Sequence, residues 1–152
     1  MSLAASARRP SRRGAHPITP MLLPVPIICF AGALITDWAY TASPDMLWID
    51  FSSWLLMAGL IGGGLAIAAL IVRLVRTRSG RGTVGLPLVL LGSAWIVELV
   101  NSFIHTRDGW TAVVPGGMTL SIIGVILALA AVATLFTVPV TLVVHRHREV
   151  LA

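Results

Sequence analysis

The chain has 152 residues, of which 57% are hydrophobic and only 11% are charged, with a formal net charge of +5. A soluble domain carries about a quarter charged residues, so this composition and the mean hydropathy of +0.91 exclude an ordinary soluble domain and indicate contact with lipid. The single cysteine, Cys29, excludes a disulfide scaffold and a cysteine-built zinc site within one chain.

Residues 1–15 are a basic N-terminal arm that contains the sequence RRPSRRG. Such an arm resembles the start of a secretory signal peptide, which is removed from the mature protein. The apolar run that follows is about twenty residues long, which exceeds the apolar core of a signal peptide. It also contains Asp37 and Trp38. We therefore expect the first span to be retained.

Four apolar segments are each long enough to cross about 30 Å of hydrocarbon as a helix that rises about 1.5 Å per residue. The backbone must satisfy its own hydrogen bonds in lipid, which favours helices over strands. The predicted fold is an all-α integral membrane four-helix bundle. We place the spans at about residues 21–40, 51–74, 86–104 and 118–144, in a transmembrane domain of residues 16–144 that precedes a short basic tail, residues 145–152.

The arginines predict the orientation of the bundle. All eleven basic residues are arginines, and ten of them lie in the N-terminal arm, after the second span or in the tail, which leaves Arg107 alone in the opposite loops. Because cytoplasmic loops carry an excess of arginine and lysine, we expect both termini in the cytoplasm. The net charge of +5 then reflects membrane topology, and it does not indicate nucleic-acid binding.

The third span contains polar residues that hydrocarbon does not tolerate well. Asn101, Ser102 and His105 follow Glu98 at spacings of three, four and seven, which place them on one face of a helix. A charged side chain at the centre of a span costs about 2.5–3.5 kcal/mol. Asp37 lies in the same, outer half of the first span, so we predict a polar seam of Asp37, Glu98, Asn101 and His105 that faces the bundle interior.

Two interpretations of this seam are open. It is either a proton, ion, quinone or cofactor site that opens to the outside, or a set of interhelical hydrogen bonds that involves a protonated Glu98. Such bonds contribute about 0.6 kcal/mol on average between membrane helices. In both cases Arg107, Asp108 and Trp110 form the outer lip of the seam.

The first span begins with an unusual run of prolines, HPITPMLLPVP. Proline is tolerated in the first turn of a helix and loosens later turns. Pro24 and Pro26 therefore either free carbonyl groups that line a polar pocket with His16 or give the span an irregular start. His16 is a candidate site residue on the cytoplasmic side.

Other residues of the spans predict contacts. Gly59 and Gly63, in the sequence GLIGG, have the four-residue spacing of a close helix contact. Aromatic residues collect at the outer boundary of the bundle, where they form an aromatic belt or an outer docking surface: Trp38, Tyr40, Trp48, Trp54 and Trp110.

The sequence carries no signature of a known catalytic site. It has no glycine-rich phosphate loop, no metal-ligand spacing and no nucleophile paired with a base. A haem held by two histidines needs both at one depth, whereas His105 is on the outer side and His16 and His145 are on the cytoplasmic side. Haem b is therefore not expected, and a His16–His145 pair would allow it only if spans one and four are neighbours.

Three stretches of the chain resemble the bacterial membrane-protein family DUF2231: HPITPMLLPVPIICFAGALITDWAY, WLLMAGLIGG and NSFIHTRDGWTAVVPGGMTLS. The resemblance covers about residues 16–125. It implies a four-helix inner-membrane protein without an assigned activity, and a redox partner such as a periplasmic sugar dehydrogenase or a cytochrome. The chain departs from the family at the start of the third span, which lacks a histidine, and at the C-terminus, which lacks the Gly-Trp-x-Gly and His-Gly-Val-Gly-Val sequences.

We therefore hold two hypotheses of function. The first is a non-enzymatic membrane anchor or accessory subunit for an extracytoplasmic or respiratory partner. The second is a redox component in which Glu98 exchanges protons, Asn101 and His105 hydrogen-bond a quinone oxygen, and Asp37 relays protons outward. A transporter would require at least a dimer of four-span chains, and the sequence leaves a homo-oligomer open.

Overall fold

The computed structural model describes residues 21–76, 81–106 and 113–151. It contains four long helices, α1 (Pro24–Ala42), α2 (Met46–Arg76), α3 (Arg81–His105) and α4 (Met118–Leu151). Each of the four is long and apolar enough to cross a membrane. This confirms the prediction of an all-α protein with four membrane-crossing helices.

A short turn, Val113–Gly117, leads into α4. Within this turn Val114 has extended backbone angles, with φ of −119° and ψ of 124°. Pro115 explains this conformation, because a proline ring disfavours helical angles in the residue before it. The chain therefore bends just before α4 and brings Gly117 against the end of α3.

The prolines at the start of α1 are compatible with the helix. Pro24 is its first residue and Pro26 its third. The first N–H groups of a helix have no partner within the helix, so a proline in this turn removes no hydrogen bond. Pro26 is buried against α2, whereas His16 lies outside the described residues.

Each helix packs against two others, because α1 contacts α2 and α4, and α3 contacts α2 and α4. The interior has two apolar layers. One lies where α1 and α3 begin (Leu23, Ala66, Leu70, Val84, Leu91 and Ala131), and the other lies in the middle (Phe30, Ala33, Leu56, Ala94 and Ala128). A third layer, at the end where α1 and α3 finish and α2 and α4 begin, is polar.

Glycines of α2 set its distance from α1 and α3. A Cβ atom on Gly59 would lie 2.5 Å from Cε1 of Phe30, and one on Gly63 would lie 3.1 Å from Cδ1 of Trp95. Both positions therefore lie at close helix contacts, as their spacing predicts. Gly62 is a third close contact, because its Cβ would lie 2.5 Å from Cγ1 of Val25.

We expect Gly59→Ala to lower the free energy of unfolding by about 1–3 kcal/mol, because the added methyl group overpacks the α1–α2 contact. Gly92→Ala is the matched control, since a Cβ there meets no heavy atom within 4 Å. In Gly92→Ala the free energy of unfolding should instead rise by up to about 1 kcal/mol, because alanine has a higher helix propensity than glycine. Unfolding in mixed detergent micelles, followed by circular dichroism, measures both variants, and equal effects would contradict the packing described above.

Candidate functional site

The polar layer consists of six buried side chains, which we call the Asp37 cluster. All four helices contribute to it: α1 gives Asp37, α2 gives Ser52, α4 gives Ser121, and α3 gives the remaining three. None of the six is more than 6% exposed. The α3 members are Glu98, Asn101 and His105.

Asp37 is the centre of the cluster. Its Oδ1 atom accepts a hydrogen bond from Oγ of Ser52 at 2.6 Å, and it is also hydrogen-bonded to Nε2 of His105 at 2.9 Å. Its Oδ2 atom accepts a hydrogen bond from Oγ of Ser121 at 2.7 Å. One carboxyl group of α1 is therefore bonded to side chains of α2, α3 and α4.

A neighbouring hydroxyl group extends the α1–α2 contact. Oγ1 of Thr36 lies 2.6 Å from Oγ of Ser52, and because Ser52 donates its own hydrogen to Asp37, the Thr36 hydroxyl group donates to Ser52. Ser52 thus contacts both Thr36 and Asp37, which are adjacent in α1. This places the first turns of α2 firmly against the last turns of α1.

His105 and Asp37 form a hydrogen-bonded pair. Nδ1 of His105 is 3.0 Å from the carbonyl oxygen of Asn101, which can only accept a hydrogen bond, so Nδ1 carries a hydrogen. Nε2 faces a carboxyl oxygen, so a second hydrogen lies between Nε2 and Oδ1 of Asp37. Whichever atom holds that hydrogen, the pair has no net charge, which suits a buried position.

Asn101 connects this pair to a second carboxyl group. Its Nδ2 atom donates to Oε2 of Glu98 at 2.9 Å and to Oγ of Ser121 at 2.8 Å. Since Ser121 in turn donates to Asp37, two hydrogen-bonded side chains join Glu98 to Asp37. In the described part of the chain, two buried oxygens have no hydrogen-bond partner: Oε1 of Glu98 and Oδ1 of Asn101.

The facing side of α4 is built from small residues, which makes room for the long side chains of α3. Gly117, Ser121 and Gly124 are four and three residues apart, so they lie on one face of the chain as it enters α4. A Cβ on Gly117 would lie 3.0 Å from Cε1 of His105, and one on Gly124 would lie 2.5 Å from Cδ of Glu98. The Glu98 carboxyl group therefore lies directly against the backbone of α4.

The structure brings together all four residues of the predicted seam, Asp37, Glu98, Asn101 and His105. Ser102 is not part of the cluster, because its hydroxyl group donates to the carbonyl oxygen of Leu99 in its own helix. The other candidates lie outside the described residues: His16, Arg107, Asp108 and Trp110.

Sequence reasoning missed Ser52 and Ser121, which donate to Asp37, and the glycines that face them. The order of the four spans along the chain could have indicated these residues. The second and fourth spans begin at the depth at which the first and third end, and FSSW and MTLS supply hydroxyl groups there. Matching residues by depth, as well as by spacing along one helix, would have indicated both serines.

The chemistry of the cluster depends on which of its polar atoms have no hydrogen-bond partner. The side-chain N–H and O–H groups of Ser52, Asn101, His105 and Ser121 all lie at acceptors within the protein. The atoms left over, on Glu98 and Asn101, are oxygens. Among the residues described, no group of three His, Cys, Asp or Glu side chains is arranged to hold a metal ion.

Comparison with models of known protein families gives a match over most of the chain. A family model described as a predicted membrane protein, DUF2231, matches residues 15–143. This confirms the resemblance identified in the sequence, and the match extends beyond the stretches that carried it. No curated protein and no solved structure gives a significant match.

Proposed function

Since the chain belongs to the DUF2231 family of predicted membrane proteins, we propose that it acts within the membrane as a non-enzymatic anchor or accessory subunit. Its partner would be an extracytoplasmic or respiratory protein. In this account the Asp37 cluster fixes the relative positions of the four helices, and the outer surface of the bundle binds the partner.

The observation that carries this proposal is that the hydrogen-bond donors of Asn101 and His105 already have acceptors within the protein. A quinone presents carbonyl oxygens, which need hydrogen-bond donors, and the donors of Asn101 and His105 are bonded to Glu98, Ser121 and Asp37 or lie at a carbonyl oxygen. The six side chains are also shielded from the surface. Both facts support a role in holding helices together over a role in binding a quinone.

The exposed aromatic residues support a docking surface at the same end of the bundle. Trp38 and Trp54 are each 67% exposed, and they lie beside Asp37 in α1 and two residues after Ser52 in α2. Trp48 is half-buried against Phe51, with ring centroids 6.4 Å apart. By contrast, Tyr40 is buried, so it belongs to the interior.

The arginines support the assignment of this end to the extracytoplasmic side. Arg73 and Arg76 are exposed in the last turn of α2, at the opposite end of the bundle from Asp37. Cytoplasmic loops are enriched in arginine, so the Asp37 end would face outward in a bacterial inner membrane. Trp38 and Trp54 would then be available to a protein outside the cytoplasm.

Gentle purification of the tagged full chain from native membranes tests the proposal. We expect one protein to co-purify in fixed ratio with the wild type and to be lost from the Trp38→Ala/Trp54→Ala variant. Ile28→Ala/Ile61→Ala is the matched control, because these side chains are 68% and 60% exposed and lie farther from the Asp37 cluster along α1 and α2. This control should retain the partner.

The Trp38→Ala/Trp54→Ala sample, which we expect to lack the partner, tests the redox alternative. Quinone is extracted and quantified, and absorption spectra are recorded before and after reduction with dithionite. The anchor function predicts no stoichiometric quinone and no reduced haem band. Quinone in a fixed ratio to the protein, lost in Glu98→Gln, would support the redox component and contradict the anchor.

A further inference from the structure

We propose that Glu98 is a proton-binding site, that the bundle closes around its neutral acid form, and that loss of this proton separates α3 from α4. This inference does not depend on the proposed anchor function. It concerns Glu98, whose one hydrogen bond among the described residues is to Asn101 of its own helix.

The first argument is the poor solvation of the Glu98 carboxyl group. The side chain is completely buried. Its Oε2 atom accepts one hydrogen bond, from Asn101, and its Oε1 atom has no partner among the described residues. An ionised carboxylate can accept about four hydrogen bonds, and an isolated buried carboxylate tends to become neutral because its charge is so costly in an apolar medium.

The second argument is the charge of the neighbouring groups. The cluster contains the acidic Asp37 of α1, the neutral Ser52 of α2 and the neutral Ser121 of α4. Gly117 and Gly124, which face α3, have no side chain that could ionise. His105 on α3 is the one described group of the cluster that can be cationic, and it is paired with Asp37. An ionised Glu98 would therefore give the cluster a net negative charge.

The third argument is the contact with α4. A Cβ on Gly124 would overlap the Glu98 carboxyl group, so that group lies against helix backbone. The N–H groups inside a helix are already bonded to carbonyl oxygens one turn earlier, so this part of α4 offers no donor to an anion. When the O–H bond of the acid breaks and the proton leaves to bulk water, the carboxylate can gain hydrogen bonds only if water enters between α3 and α4.

Isotope-edited infrared spectroscopy tests the proton. Glu98 and Glu149 are the two glutamates of the chain, and the sequence has no glutamine. The Glu149→Asp variant, made with glutamate labelled with carbon-13 at its side-chain carboxyl, therefore contains one labelled carboxyl group and leaves the site unchanged. In reconstituted protein at neutral pH, we expect an isotope-shifted carbonyl band of a protonated acid that disappears at alkaline pH.

Distances between spin labels test the separation of the helices. Val100 on α3 and Ile122 on α4 are exposed, so both can be replaced by labelled cysteines in a Cys29→Ala background. The distance should increase as the acid band disappears, and it should stay constant in Glu98→Gln, which mimics the neutral acid.

Either measurement can overturn the proposal. A labelled carboxyl group that is ionised at neutral pH would exclude the proton site, and this test holds even if Glu98→Gln does not fold. A distance that stays constant while the acid band disappears would exclude the separation of α3 and α4. Loss or retention of a co-purifying partner affects neither result, so the anchor function is tested separately.

Discussion

Replacement of Asp37 by alanine is expected to lower the free energy of unfolding by about 3–5 kcal/mol, the usual cost of removing one partner of a buried ion pair. The substitution removes the acceptor of Ser52 and Ser121 and leaves His105 buried without its carboxyl partner. Because these donors come from three helices, the whole bundle should lose stability together. Unfolding by sodium dodecyl sulfate in mixed micelles measures the loss.

Two controls distinguish this effect from a general effect of removing a polar group. Asp50→Ala removes an exposed carboxyl group near the same end of the bundle, and it should change stability by less than about 0.5 kcal/mol. Ser52→Ala removes one donor to Asp37 and should cost about 0.6 kcal/mol, with about 1.7 kcal/mol as an upper bound. Equal losses in Asp37→Ala and Asp50→Ala would contradict the central position of Asp37.

The second large effect is expected at Gly124. An alanine there would put a methyl group into the volume of the Glu98 carboxyl group, so Gly124→Ala should lower the free energy of unfolding by about 1–3 kcal/mol through overpacking. The side chain of Glu98 would also lose its place against α4. The melting temperature in detergent and the yield of folded protein both report this loss.

A double-mutant cycle assigns the Gly124 effect to its cause. In a Glu98→Ala background the clash is absent, so adding Gly124→Ala should cost little or stabilise the helix by up to about 1 kcal/mol. Gly85→Ala, where a Cβ meets nothing within 4 Å, is the control in both backgrounds. If the effects of Gly124→Ala and Glu98→Ala simply add, the carboxyl group does not lie against Gly124.

Much of the fold could be predicted because lipid limits the choices. Spans of about twenty apolar residues must be helices, and the prediction of four helices needed only their lengths and the polar segments between them. The seam on α3 was predictable for the same reason. Glu98, Asn101 and His105 share one face, and a carboxyl group that faces lipid would be costly.

The contacts of the seam could not be predicted from one helix at a time. Ser52, Ser121, Gly117 and Gly124 are small residues of the kinds common in membrane helices, so they carry no signal until the rotation of α2 and α4 is known. The quinone role of Asn101 and His105 stays a prediction. The fold directs the donor groups of these side chains at other members of the cluster, so a quinone would have to replace those hydrogen bonds.

The interaction energy between Asp37 and His105 tests the central claim most directly, because their side chains meet across 68 positions of sequence at 2.9 Å. It is measured by unfolding the wild type, Asp37→Ala, His105→Ala and the double variant under one set of micelle conditions. A cluster that fixes the helices predicts a coupling energy of about 0.5–3 kcal/mol, as for residues in one network. Losses that add to within about 0.5 kcal/mol would show independent sites and contradict the claim.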